Sequence, residues 1–359
     1  MGRGNLVVRS WLHRRVLRTW QARGPLARLL YPLTWVYRLG RSLHAWGQTA
    51  VRVDVPVVVV GNLRVGGTGK TPLVIRLTEA LRERGWHPGV VSRGYGGQAG
   101  DAARLVDADA DPNRFGDEPV LIRYTTAVPV AVGKDRVAAA RLLRRMHPEI
   151  DVIIADDGLQ HRRLARNVEL ALINETGTGN GWQLPAGPLR EPVRRLERVD
   201  AVVLHGATPP VRIHTPFFRM RTAIRNAVRM ADPPQRQSLA ELSQAQRERD
   251  LRLLAFCAIG NPDRFFAMLR AHGLVFDTLA LPDHEPIDAA VLAGKSHDRI
   301  LVTSKDAVKC HRDARLRKDE RIWVVPLEVD LDPACVDFVE RRIAATADPG
   351  TRAGELQHR

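Results

Sequence analysis

From residue 55 onward the chain switches repeatedly between two hydrophobic periods. Short apolar runs at 55–60, 89–92, 128–132, 152–155, 168–173 and 201–204 have the length and β-branched content of buried strands. Between some of them, apolar residues are spaced as on one helix face: Leu73, Val74, Leu77 and Leu81, closed by Gly85, and Val137, Ala138, Leu142, Leu143 and Met146. Strand and helix in alternation predict an α/β fold with a mostly parallel sheet covered by helices. A second α/β run follows residue 250. Its strands are expected at 253–259, 300–302 and 322–325, and its helix at 262–272, starting near Asn261 or Asp263. Residues 206–250 are polar and carry Pro-Pro pairs at 209–210 and 233–234, so they read as a linker or domain edge.

The first 50 residues follow neither pattern. Leu26, Leu29, Leu30, Leu33 and Val36 have helical spacing, but Pro32 interrupts the run. Charge changes the picture here. The whole chain carries 55 Lys+Arg against 40 Asp+Glu, a formal +15, yet residues 1–53 hold ten arginines and no acid. Four of the seven tryptophans (Trp11, Trp20, Trp35, Trp46) lie in the same block, with Tyr31 and Tyr37. Arginine with aromatic residues and leucine is the composition of a segment lying in a membrane interface. A packed helix with arginine on its wet face is the plainer alternative. No run reaches the roughly 18 apolar residues of a spanning helix, and arginine recurs too often for a secretory signal. The three cysteines, Cys257, Cys310 and Cys335, form no CxxC pair, which excludes a disulfide framework and fits a reducing compartment. At roughly 100–200 residues per domain, 359 residues suggest two or three domains.

The strongest chemical signal is the string VVVVGNLRVGGTGKT at 57–71. A buried strand feeds a glycine-rich loop, then GKT, then an amphipathic helix. Glycines let backbone N–H groups curl around phosphate oxygens, and the helix N-terminus adds positive potential. Asn62, Gly66, Gly67, Thr68, Gly69, Lys70 and Thr71 are therefore the expected ATP-binding set. Lys70 can reach the β- and γ-phosphates, and the Thr71 hydroxyl can ligate Mg²⁺. The strict GxxxxGK[ST] pattern fails at Arg64. The loop is close to the GG-x-GKT variant of dimeric positioning ATPases, but those carry a lysine where this chain has Val65. A nucleotide-binding core also needs an acid for Mg²⁺ at a strand end. Val152, Ile153, Ile154 and Ala155 lead into Asp156 and Asp157, which supply it; a solvated turn is the alternative.

Further strings fit one family. GNLRVGGTGKTPLV (61–74), SRGYGG (92–97), GDEP (116–119), DDGLQHRRL (156–164), LPAGPLRE (184–191), FCAIGNPDRFF (256–266), PDH (282–284) and TSKDAVKC (303–310) occur in family order. In these the chain resembles the tetraacyldisaccharide 4'-kinases, the lipid A kinases of Gram-negative bacteria. The resemblance implies transfer of the ATP γ-phosphate to the 4'-hydroxyl of a tetraacyl disaccharide 1-phosphate, with lipid IVA as product. It implies a peripheral enzyme at the cytoplasmic face of the inner membrane, without a transmembrane helix. Its partners would be the lipid A precursor and an anionic membrane surface, with no nucleic acid and no obligate protein partner. It places the proton acceptor on Asp117 of GDEP and a supporting histidine on His284 of PDH, which with Lys70 form the expected catalytic set. It also puts Arg190 and Glu191 near the active site; a surface ion pair is their plainer reading.

Arg93 and Tyr95 sit in a Gly-flanked loop after a strand, where sheet proteins place ligand contacts. Gln160 and His161 follow the paired acids and are expected to support the metal or the γ-phosphate. Lys305 and Lys309 could contact nucleotide or a lipid phosphate. By sequence alone Asp117 could equally be a helix N-cap, and Glu285-Pro286 departs from what family members often carry after PDH. The expected organisation is a membrane-interface segment at 1–50, a P-loop kinase core at 51–205 and a smaller α/β lid at 206–330. A C-terminal helix at 331–346 would pack back on the core, followed by a disordered tail at 347–359. The competing readings are a membrane-associated switch ATPase acting on a protein partner and a nucleic-acid-associated NTPase. The second would spread its basic residues over a folded face rather than an N-terminal block.

Overall fold

A computed structural model describes residues 19–98, 100, 102–206, 214–283 and 285–346. The tail expected at 347–359, the Pro-Pro pair at 209–210, the basic residues before Thr19 and His284 lie outside the described residues. The strands are β1 (Val57–Gly61), β2 (Pro88–Ser92), β3 (Arg104–Leu105), β4 (Val130–Val132), β5 (Val152–Asp156), β6 (Val168–Asn174), β7 (Ala201–His205) and β8 (Phe217–Ala223). They continue as β9 (Asn226–Arg229), β10 (Arg236–Ser238), β11 (Leu253–Cys257), β12 (Asp277–Ala280), β13 (Arg299–Thr303), β14 (Ile322–Val325) and β15 (Glu328–Leu331). Two compact units divide the chain. The first takes the described residues up to 70, 151–220 and those from 331; the second takes 71–150 and 221–330.

In the first unit five strands run parallel in the order β8-β7-β6-β1-β5. Val57 to Val60 are all buried, as expected of a central parallel strand covered on both faces, which is why it reads as a continuous apolar run. The helix Pro333–Ala344 starts on an Asp332 cap, buries Cys335, Val336, Val339 and Ile343, and packs against β1 and β6.

The helix Pro25–Ala45 runs straight through Pro32, where the apolar pattern suggested an interruption. An interior proline costs a helix about 3 kcal/mol. Docking on the loop that precedes Glu191 offsets this. The Tyr31 ring lies 4.5 Å from that of Trp182, and Thr34 donates to the Gln183 carbonyl at 3.2 Å. Tyr37 donates to the Arg190 carbonyl, also at 3.2 Å. The opposite face leaves Leu29, Leu33, Val36, Leu39 and Leu43 exposed. Among the described residues no helix is long and apolar enough to cross a membrane.

In the second unit β2 pairs in parallel with β4, which β3 flanks antiparallel. A six-stranded sheet follows the order β10-β9-β14-β13-β11-β12, parallel from β14 to β12 with an antiparallel edge. Residues 206–250 are therefore not simply a linker. They contain β8, β9, β10 and the helix Leu239–Arg249, which opens with a Ser238/Glu241 capping box. Only Met220 is buried in β8, so no apolar run betrays the strand, and the helix buries little beyond Leu239, Leu242 and Ser243. The helix expected at 262–272 forms as Pro262–Ala271 with Asn261, not Asp263, as its cap.

Candidate active site

The β1 strand ends at Gly61, where a Cβ would meet Leu159 at 2.7 Å, so only glycine lets the loop after the paired acids pack this closely. The loop that follows turns through left-handed glycines, Gly66 at φ 112° and Gly69 at φ 95°. Asn62 is fully buried and spans it from within. Its amide donates to the Thr68 hydroxyl at 2.7 Å, and its carbonyl oxygen accepts from the Lys70 ammonium at 3.5 Å. The side chains of Asn62 and Thr68 thus brace the loop, while its backbone and Lys70 are the groups that can face a phosphate. Lys70 opens the helix Lys70–Glu83, and Thr71 is buried beside it in sequence.

Strand β5 pairs with β1 in a register that sets Asp156 opposite Val60. Both acids therefore leave the same end of the sheet as the phosphate loop, the end where parallel sheets bind ligands. Asp156 is buried, and Asp157 adopts the left-handed region at φ 48°, a conformation aspartate tolerates. Its carboxylate lies 3.6 Å from the Lys70 ammonium and 2.9 Å from the Arg190 guanidinium. Arg190 also donates to the Gln160 side chain at 3.1 Å, and the Gln160 amide donates to the Asn62 carbonyl at 3.0 Å. Lys70, Asp157, Arg190, Gln160 and Asn62 form one continuous polar network. The His161 carbonyl accepts from Arg166. Glu191 is not a surface residue: it is buried between Arg41 at 2.5 Å and Arg195 at 3.2 Å.

His205 was not legible as a site residue. It is buried at the end of β7, its Nδ1 lies 3.4 Å from the Thr68 carbonyl, and a Cβ at Gly69 would stand 2.9 Å from it. Its place at the C-terminal end of a predicted strand was the available signal.

The second cluster centres on Asp117. This residue is not the N-cap, which is Gly116; it is the first residue of the helix Asp117–Thr126 and is buried. Helix Ser304–Cys310 packs against that helix and presents Lys305 and Lys309, one turn apart, on the same face. Lys309 stands 3.3 Å and Lys305 3.6 Å from the Asp117 carboxylate. Lys305 also binds Asp283 at 2.8 Å. Burial works against its charge, but Asp283 and Asp117 outweigh burial and hold its pKa above the ordinary lysine value. Asp306, wholly buried, accepts from the Ala258 amide and the Thr303 hydroxyl. Burial pushes its carboxyl above the usual range against Thr303 and Lys309. Arg93 and Tyr95 are exposed in the loop after β2. That loop touches the entry to Asp117: a Cβ at Gly116 would lie 2.5 Å from the Tyr95 carbonyl, and one at Gly97 would lie 2.5 Å from the Arg114 carbonyl. The structure thus brings SRGYGG and GDEP together.

Residues 26–344 match the family of tetraacyldisaccharide-1-P 4'-kinases. The chain belongs to this family. A tetraacyldisaccharide 4'-kinase of Herminiimonas arsenicoxydans is 46% identical over 347 residues, covering 93% of this chain and 97% of that one. One from Azoarcus sp. (strain BH72) is 47% identical over 331 residues, covering 90% and 94%. Among solved structures, LpxK from Aquifex aeolicus in complex with ATP superposes with a TM-score of 0.70 at 25% identity, over 89% of this chain and 99% of that one. Membership settles the fold class and sets aside both the switch-ATPase and the nucleic-acid readings. The family match begins at residue 26, so it includes the helix Pro25–Ala45 almost entirely.

Proposed function

We infer that this chain transfers the γ-phosphate of ATP to the 4'-hydroxyl of a tetraacyldisaccharide 1-phosphate, giving lipid IVA. The observation that carries this reading is the Lys70 ammonium held 3.6 Å from Asp157, the pairing a phosphate-loop lysine makes with the acid of the metal strand. The relative solved with ATP supports the same nucleotide here. Lys70 and the backbone N–H groups of Gly66, Gly67 and Gly69 hold the phosphates, exchanging Asn62 and Asp157 for phosphate oxygens.

Thr71, Asp156 and Asp157 offer a hydroxyl and carboxylates, hard oxygen donors of the kind Mg²⁺ prefers, and these would hold it. When bound, Mg²⁺ supplies charge neutralisation on the phosphate oxygens. Arg190 and Gln160 orient Asp157. Asp117 accepts the proton of the sugar hydroxyl as the new P–O bond forms and the bridging P–O bond to the β-phosphate breaks, with ADP leaving and His284 as the support of Asp117. Arg93 and Tyr95 stand on the substrate side, His161 supports the metal or the γ-phosphate, and Glu191, held by Arg41 and Arg195, supports Arg190 from its buried position. Residues 51–205 carry the kinase chemistry and 206–330 the smaller α/β part, a division by function that differs from the two compact units, and 331–346 is the returning helix. Residues 1–50 lie on the cytoplasmic face of the inner membrane. The exposed leucines of the helix Pro25–Ala45 support that placement.

The test supplies purified protein in detergent micelles with γ-labelled ATP, Mg²⁺ and the tetraacyldisaccharide 1-phosphate. Label in the lipid is expected, and Lys70→Ala should lower the rate by roughly 10²–10³-fold. Label released only as free phosphate at every lipid concentration would overturn the assignment.

A further inference from the structure

The helix Pro25–Ala45 has a second polar use. Its Arg38 and Arg41 face the short helical turn Val193–Arg198, and together with Arg162 these elements line an open cavity of about 200 Å³. Six arginines line it: Arg38, Arg41, Arg162, Arg194, Arg195 and Arg198. One carboxylate reaches the wall, Glu191, and it is already engaged by Arg41 and Arg195; Arg195 also pairs with Glu169 at 2.6 Å. Arg38 lies over the Trp35 ring at 4.8 Å. Arg38, Arg162, Arg194 and Arg198 make no ion pair among the described residues. Four guanidinium groups, those of Arg162, Arg194 and Arg198 exposed to water, thus line one open cavity without a carboxylate partner among the described residues, a donor set that an outside anion would complete. Guanidinium is the side chain whose planar fork matches phosphate oxygens.

The helix itself indicates the source of that anion. Leu29, Leu33, Val36 and Leu43 are exposed on the face opposite Arg38. A helix of this kind sinks its apolar face about 5–10 Å into the boundary between headgroups and acyl chains, and a helix with its side chains is about 10–12 Å across. The phosphate layer then lies level with the far side of the helix, where Arg38 and Arg41 project. Arg162, Arg194 and Arg198 widen this positive surface beyond the anchor segment itself.

We propose that the cavity between the helix Pro25–Ala45 and the turn Val193–Arg198 binds the phosphate of an anionic bilayer phospholipid, as a recognition site separate from the lipid substrate. It rests on the reading that this helix meets the membrane, and the two are separable by experiment. Vesicles of phosphatidylcholine alone report the helix; added phosphatidylglycerol reports the cavity. The full chain carrying Arg162→Gln, Arg194→Gln and Arg198→Gln should keep its binding to neutral vesicles. It should lose on the order of 100-fold on phosphatidylglycerol vesicles, roughly fivefold per arginine. The single Arg194→Gln variant, at an exposed position, gives the fivefold step should the triple variant fold poorly. A matched variant with Arg145→Gln, Arg247→Gln and Arg249→Gln, all exposed elsewhere, should change little. An equal loss in that variant, or no loss in the first, overturns the site. So does a KM for the disaccharide in neutral detergent micelles that rises as far as vesicle binding falls, because the cavity would then hold the substrate's own phosphate.

Discussion

Lys309→Met keeps the side chain's length and removes its charge from the most enclosed ion cluster of the second unit. The ammonium stands 3.3 Å from Asp117, 3.8 Å from Asp306 and 3.1 Å from the Ala258 carbonyl. At an effective dielectric of about 20, the two carboxylates contribute gross attractions of about 5 and about 4 kcal/mol. Desolvation of three buried ions cancels much of that, so the useful magnitude is the cost of breaking one partner out, about 3–5 kcal/mol. Asp117 retains Lys305 at 3.6 Å, which places most of the loss on Asp306. That carboxyl is wholly buried and already pushed up by burial. The expected loss is therefore near the lower end, about 3 kcal/mol, read as a fall in the urea midpoint. Adding Asp306→Asn should return part of it, with a coupling of roughly 1–3 kcal/mol. A Lys309→Met protein within about 1 kcal/mol of wild type, or a double variant whose losses simply add, would refute the argument.

Three other outcomes follow from single features. Gly116→Ala forces a Cβ onto the Tyr95 carbonyl at 2.5 Å in a backbone with φ 91°; a loss of about 1–3 kcal/mol in stability is expected on chemical denaturation, together with a lower phosphotransfer rate. His311, hydrogen-bonded to Tyr124 at 3.0 Å, has its pKa lowered by burial and by Arg317. The unfolded chain therefore takes up the proton first, so this stabilisation is present above about pH 6.5 and is lost as pH falls through the lowered native value. His311→Gln should flatten the melting temperature over that window, and an unchanged pH profile would count against it. Burial pushes the thiols of Cys257, Cys310 and Cys335 up to about 12. The native protein should resist maleimide labelling at neutral pH and react only when unfolded.

The elements that were legible in the sequence are those that bury both faces or one full stripe. Strands β1, β5, β6, β7 and β11 read as largely apolar runs because nearly every residue along them is buried; the polar exceptions, such as Glu169 in β6 and Asp156 at the end of β5, are half-buried and ion-paired or sit at a strand end. Strands β8, β9 and β10 were hidden because they lie at or next to the edge of their sheets and are held by pairing more than by burial. Their half-exposed residues give no period to detect. The same division holds in the site. Lys70 and the acids at 156–157 announce themselves because a backbone-shaped phosphate cradle has a fixed spacing. Asp117, Lys305 and Lys309 have none: they meet only because two helices pack, across a sequence separation that no local pattern encodes. Glu191 shows the limit from the other side. Read as a surface ion pair it would be worth little, but its burial between Arg41 and Arg195 makes it a structural pivot that only the tertiary fold reveals.

Arg190 ties these observations together. Its side chain holds the Asp157 carboxylate at 2.9 Å, while its backbone carbonyl accepts from Tyr37 and Arg41 of the helix Pro25–Ala45. One residue is thus fixed from two directions, by the acid paired with the phosphate-loop lysine and by the helix whose leucines face outward. Its neighbour Glu191 repeats the connection through Arg41. An enzyme whose acceptor is anchored in a bilayer must meet its phosphate donor at a set height above that surface, since a misplacement of about 1 Å at the reacting atoms costs on the order of 10²-fold in rate. A flexible tether would leave that height undefined. On the reading proposed above, a short chain of half-buried hydrogen bonds and ion pairs, running from the outward-facing helix to Asp157 within one compact unit, defines it.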